Sequence, residues 1–256
     1  MDNQIGSEGL QDVPGFEMNA RNKLFSYQIL SAALAAAEHY AFLSGGRHIR
    51  DSAVEHFISV ELAKALVSYK AKIWTQFSLE LNDFDPAGEV HSVDHAMLEA
   101  GGNTVFGDET ERKRIDIGLI SDFGERYGQI GRDPHELIYA VEVKRNLADS
   151  AEDILRVCGL MDRHHESGWC CQGGGVLGFV SRENAGKKSV AELVKTQVTR
   201  FADRVSGHGS EFGKRISCCY LSRSNPLTEF ENSFVAHNKN QIAMLTACFV
   251  AVEFEG

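Results

Sequence analysis

Two acidic residues interrupt apolar, strand-like runs where packing alone gives no reason for them. Asp116 stands between Ile115 and Ile117, and Glu142 stands between Val141 and Val143 with Lys144 directly after. A buried carboxylate is costly unless it is paired or holds a metal ion. In an extended chain side chains alternate, so Glu142 and Lys144 share one face, about 6.5–7 Å apart along the strand. One acid on each of two neighbouring strands, with a lysine beside the second, describes a site for a hard cation such as Mg²⁺ or Mn²⁺. Such a site can hold an attacking water in line with a phosphodiester and offset the charge that develops on the phosphate oxygens. Lysine suits the task because its ammonium is a compact charge whose pKa falls on partial burial, so that it can orient or deprotonate a water. Each residue also has a duller explanation: Asp116 as a solvated edge-strand residue, Glu142 with Lys144 as an exposed charge pair. Their coincidence carries the signal.

These residues need strands to present them and helices to cover the sheet. The spacing predicts a helix over Asn22 to Leu43, stopped by Ser44-Gly45-Gly46, and a second from about Asp51 to Lys70. Strands are expected at Lys72 to Leu81, Arg114 to Ser121 and Leu137 to Lys144. Asn82 to Thr110 and Asp122 to Glu136 read as loops. Beyond Asn146 helix and strand alternate: helix Ser150 to His164, strand Gly175 to Val180, helix Ser189 to Val205, strand Ile216 to Ser222. Met244 to Phe254 is a last apolar stretch with the look of an edge strand. This order implies a three-layer α/β/α sandwich with a mixed central sheet. A single domain is expected over residues 21–256, with a helical extension at about 22–44, behind a flexible tail at residues 1–20.

Arg114-Ile115-Asp116, a 25-residue gap and then Glu142-Val143-Lys144 at the end of an apolar strand resembles the PD-(D/E)xK nuclease superfamily, of restriction-endonuclease-like fold. The element order agrees from about Asp51 to Ser222. By match to the motif, the resemblance implies that Asp116 and Glu142 are metal ligands together with the carbonyl of Val143, and that Lys144 is the catalytic lysine. The family's helical glutamate corresponds to Glu55 or Glu61, with Glu55 preferred. Ile115 stands where the family name has proline, and the motif is short: Glu111-Arg112-Lys113 matches its second half in a polar context. The resemblance implies a Mg²⁺- or Mn²⁺-dependent endonuclease acting on nucleic acid, DNA foremost, in restriction, defence or repair, and a homodimer.

Other candidates are weaker. Arg145, Lys195, Arg200 and Arg204 are candidates to contact phosphates, with Arg200 and Arg204 at i, i+4 spacing on one helix face; for any one of them a solvated helix face is the better explanation. His91, Asp94 and His95 have helical zinc spacing, but Gly and Pro around them favour a surface loop or short helix. His164-His165 suits a helix C-terminus. Gly173-Gly174-Gly175 precedes a strand, not a helix, so it lacks the order of a phosphate-cradling loop. The six cysteines show no CxxC spacing and read as buried thiols of a cytoplasmic protein.

Composition sets the outer bounds. The chain has 256 residues, 43% hydrophobic and 24% charged, enough for a full core and too apolar for disorder. Twenty-six basic against 36 acidic side chains give a net charge of −10, which excludes a protein that simply coats nucleic acid. No apolar run is long enough to span a bilayer, and no membrane partner is expected. Two rival functions remain. A non-catalytic nucleic-acid- or protein-binding module that kept the nuclease fold predicts no metal-dependent cleavage. An unrelated α/β enzyme acting on a small molecule predicts carboxylates too far apart to share one ion.

Overall fold

The computed structural model describes residues 9–44, 49, 55–68, 95–100, 115–121, 136–166, 173–180, 188–207, 213–224 and 244–254. In chain order the elements are β1 (Leu10–Asp12), α1 (Ala20–Leu43), α2 (Glu55–Ser68), β2 (His95–Ala100), β3 (Ile115–Ser121), β4 (Glu136–Lys144), a 3₁₀ turn (Leu147–Asp149), α3 (Ala151–Glu166), β5 (Gly173–Val180), α4 (Val190–Ser206), β6 (Lys214–Ser224) and β7 (Met244–Phe254). The strands form one seven-stranded sheet in the order β1-β6-β7-β5-β4-β3-β2. Among the described residues only β4 and β5 pair in parallel, so the sheet is mixed. A parallel pair needs a crossover, and α3 supplies it.

Strand alternation divides the core into two layers. Ile117, Tyr139, Val141, Val143, Leu177 and Phe249 pack with Ile29, Leu30 and Leu34 of α1 and Ile58 and Leu62 of α2. Ala140, Val176, Cys218, Cys248, Val250 and Val252 pack on the opposite face with Ile154, Val157 and Met161 of α3 and Val194, Val198 and Phe201 of α4. The layered α/β expectation therefore holds.

The helices start where side chains can satisfy free amides. Asn19 caps α1 by accepting from the Asn22 N–H at 2.8 Å. Ser189 and Glu192 form a reciprocal capping box at α4, each side chain accepting from the other's amide.

Two glycines set how closely α3 and the turn before it approach the sheet. A Cβ on Gly174 would lie 2.4 Å from Cγ1 of Val157 on α3, and one on Gly178 would lie 2.7 Å from Cα of Leu147. Gly174 and Gly178 thus form a packing surface for the crossover.

Several expectations need correction. The tail at residues 1–20 is not loose where described. Leu10, Gln11 and Asp12 pair with Leu221, Tyr220 and Cys219, Val13 and Met18 are buried, and α1 already begins at Ala20. Three residues in a polar context carry too little periodicity to announce a strand. The expected loop at Asn82 to Thr110 contains β2, which pairs antiparallel with β3. His95 is therefore a strand residue. The strand β7 is internal, held between β5 and β6, as its uninterrupted apolar run requires when both faces are covered. The strand expected at Lys72 to Leu81, the loop expected at Asp122 to Glu136 except for Glu136 itself, which opens β4, and His91 and Asp94 lie outside the described residues. The four described cysteines, Cys158, Cys218, Cys219 and Cys248, are buried and free. Among the described residues no helix is long and apolar enough to cross a membrane.

Candidate active site

The recorded ladder between β3 and β4 reaches Ile117↔Val141. One step further sets Asp116 opposite Glu142. Ile117 and Val141 belong to the α1–α2 layer, so both acids face the α3 side. There Asp116 Oδ2 accepts a hydrogen bond from the Val143 N–H at 2.7 Å. A side chain takes the amide that the next ladder rung would have used, and the two strands open at this end.

Glu142 is 1% exposed. Burial, then the neighbouring Asp116 carboxylate, push its pKa up to about 8, against the pull of Arg156. Arg156 on α3 donates from Nη1 to Glu142 Oε1 at 2.8 Å, and its Nη2 lies 2.9 Å from Asp153 Oδ1. Asp153 is buried, which raises its pKa while Lys144 and Arg156 oppose the rise.

Lys144 follows on the same face. Its Nζ lies 3.6 Å from Asp153 Oδ1 and 3.7 Å from Glu55 Oε2. Burial pulls its pKa down, but Asp153, Glu55, Asp116 and Glu142 together outweigh burial, and the net shift is upward. Burial alone would depress the lysine pKa as expected, and the surrounding acids oppose it. The surrounding acids favour the ammonium form of this amine, which suits it to orient a water or a phosphate by charge.

Glu55, the first described residue of α2, also accepts from the Arg145 N–H at 3.5 Å. This clamps the helix to the end of β4. Glu61 lies elsewhere, paired with Lys64 at 2.7 Å and with His39 at 3.7 Å. Of the two candidate helix acids the structure brings in Glu55.

The basic residues expected near phosphate fare unevenly. Arg145 is exposed beside the cluster. Arg204 is engaged with Glu152 of α3 at 2.6 Å. Lys195 and Arg200 are exposed on α4, and among the described residues no ion pair ties them to the acids.

Sequence reasoning missed Asp153 and Arg156. Their signal was present: an acid followed three residues later by an arginine, in a helix whose Ile154, Val157, Cys158 and Met161 form a buried stripe. An acid at the margin of such a stripe, one turn after the strand bearing Glu142 and Lys144, must face that strand's end.

Among the described residues no group of three or more His, Cys, Asp or Glu side chains forms a ready ion cage. The donor set nonetheless suits Mg²⁺ chemistry, because that ion binds through one or two carboxylates and keeps several waters. Glu142 and Asp116 supply two hard oxygen donors whose mutual repulsion, expressed in the raised pKa of Glu142, a divalent cation would relieve.

No protein-family model matches the chain, and neither the curated proteins nor the solved structures contain a detectable relative.

Proposed function

We propose that this protein is a Mg²⁺- or Mn²⁺-dependent nuclease of restriction-endonuclease-like fold that hydrolyses phosphodiester bonds, foremost in DNA. The observation that carries this reading is the convergence of Asp116 and Glu142 from adjoining strands on one buried face, with the Lys144 ammonium next along the same strand. A strand–strand acid pair with a neighbouring lysine is a juxtaposition that can support phosphodiester hydrolysis by a bound divalent ion. It also argues against the small-molecule rival, which requires the two acids to lie apart.

In this reading Asp116 and Glu142, with the Val143 carbonyl, hold the cation. The cation supplies Lewis-acid stabilisation of the phosphate and lowers the pKa of a bound water. Lys144 orients that water or a phosphate oxygen by charge, and Glu55 keeps the ammonium aimed by pairing with it. Arg145, exposed beside the end of β4, is a basic side chain placed for a flanking phosphate.

The test is incubation of the purified protein with plasmid, linear and single-stranded DNA and with RNA, in Mg²⁺, Mn²⁺ or EDTA. Wild type is compared with Asp116→Asn and Lys144→Ala. Metal-dependent cleavage lost in both variants supports the reading; cleavage unchanged in both rejects it.

One observation favours a second reading, a non-catalytic binding module. Arg156 pairs with Glu142 at 2.8 Å and so gives the buried acid a counter-ion from within the chain. That reading expects no Mn²⁺ binding by calorimetry and no effect of Glu142→Ala on function.

A further inference from the structure

Arg156 stands between the two most deeply buried acids of the cluster. Its guanidinium bonds Glu142 with one nitrogen at 2.8 Å and reaches Asp153 with the other at 2.9 Å. The three differ sharply in access: the arginine side chain is 31% exposed, while those of Glu142 and Asp153 are 1% and 5% exposed. The guanidinium therefore enters from the solvent side and can withdraw without disturbing the core. If it does, Asp153 keeps the Lys144 ammonium at 3.6 Å, whereas Glu142 has no second cation at hydrogen-bonding distance among the described residues. The oxygen that Arg156 holds is one that a divalent ion would need. Two cations cannot share it at full strength.

Resting on the nuclease reading above, we propose that Arg156 is a displaceable counter-ion. It holds Glu142 in the metal-free protein, yields Glu142 Oε1 to an incoming divalent cation, and turns the freed edge of its guanidinium to a phosphate of the nucleic acid. No net positive charge is lost beside the acids, because the divalent ion brings more than the arginine removes. The planar fork that bridged two carboxylates has the geometry to grip a phosphate by two nitrogens. Arg156 is in this sense a positioning residue: its link to metal loading is through Glu142.

The test is calorimetric titration of MnCl₂ into wild type, Arg156→Ala and Arg156→Lys. Alongside it, anisotropy of a short labelled DNA duplex is read in EDTA and in CaCl₂. Both variants are expected to bind Mn²⁺ more tightly, Arg156→Ala by about tenfold or more, the factor that one charge-assisted hydrogen bond corresponds to. Arg156→Lys is expected in between, since it keeps the charge and loses the fork. The gain in duplex affinity that CaCl₂ gives wild type is expected to shrink in Arg156→Ala. Arg156→Lys retains a cation beside the buried acids and serves as the folding control, checked by circular dichroism. Mn²⁺ binding in both variants equal to or weaker than wild type overturns the proposal and leaves the nuclease reading standing. An undiminished CaCl₂ effect on duplex binding overturns the phosphate role. Failure of wild type itself to bind Mn²⁺ overturns the metal-dependent reading and this proposal with it.

Discussion

The Arg156 guanidinium and the Glu142 carboxylate form a 2.8 Å ion pair that ties helix α3 to the end of strand β4. Even so, Glu142 titrates near pH 8, because burial and the Asp116 charge outweigh the arginine. An acid whose folded pKa lies above its unfolded value of about 4.5 binds a proton on folding. The stability it confers is fully present below the unfolded value and is lost as pH rises through about 8. Glu142→Gln removes this dependence. Urea unfolding should therefore show the variant gaining on wild type between these limits by an amount on the order of a few kcal/mol. A difference that stays constant over that range would show that Glu142 is not perturbed.

The same proton competes with a metal ion. Mn²⁺ affinity, measured calorimetrically over a pH series, should strengthen by up to about tenfold per pH unit below the Glu142 pKa and level off above it. In Glu142→Gln the binding should be weak and the pH dependence lost.

Asp116→Asn keeps an oxygen that can accept from the Val143 N–H while removing the charge. It should fold with a melting temperature close to wild type and lose cleavage on the order of a hundredfold or more. A variant that retains activity would exclude Asp116 as a metal ligand.

Lys144 should behave as a permanent cation in the working pH range, since its pKa is raised and not lowered. Cleavage rate should not fall between about pH 7 and 9 from loss of the lysine proton, the ordinary lysine value being higher still. Lys144→Ala should lower the rate across the whole range without shifting the profile. A wild-type rate that instead rises through a pKa in that window and loses the step in Lys144→Ala would mean that the lysine acts as a base.

Gly174 tests the seating of α3. A Cβ there meets Val157 Cγ1 at 2.4 Å and Ala140 O at 2.9 Å, so Gly174→Val should destabilise the fold by about 1–3 kcal/mol through overpacking. Thermal unfolding should show the loss. Because Asp153 and Arg156 ride on α3, Mn²⁺ affinity should change with it. A variant as stable as wild type would mean that α3 seats farther from β5.

What the sequence made legible follows a physical rule. Asp116, Glu142 and Lys144 stood out because charge inside an apolar, alternating run needs a reason, and the adjacency of β3 and β4 supplied the geometry. Glu55 was distinguishable from Glu61 only once the β4 end was placed, because both lie on one helix and the deciding partner, Lys144, is remote in sequence. Asp153 and Arg156 passed as ordinary helix charges: the apolar stripe beside them was legible, but that it would lay them against the end of β4 is a tertiary fact. The strand β2 escaped notice for a related reason. Its pairing with β3 is a tertiary choice, and the segment HAMLEA has no strict alternation. Strand β7 looked peripheral by its late position, although a run buried on both faces belongs inside a sheet.

One pairing bears on how the chain reaches this state during synthesis. Strand β1 is the outer neighbour of β6, with the Gln11 side chain accepting from the Tyr220 hydroxyl across 209 residues of sequence. As the polypeptide leaves the ribosome, its first described strand waits for some 209 further residues before its partner emerges. Until then that segment is free to be engaged by chaperones or proteases, and once β6 appears its outer rim stays open to another chain's strand until β1 returns.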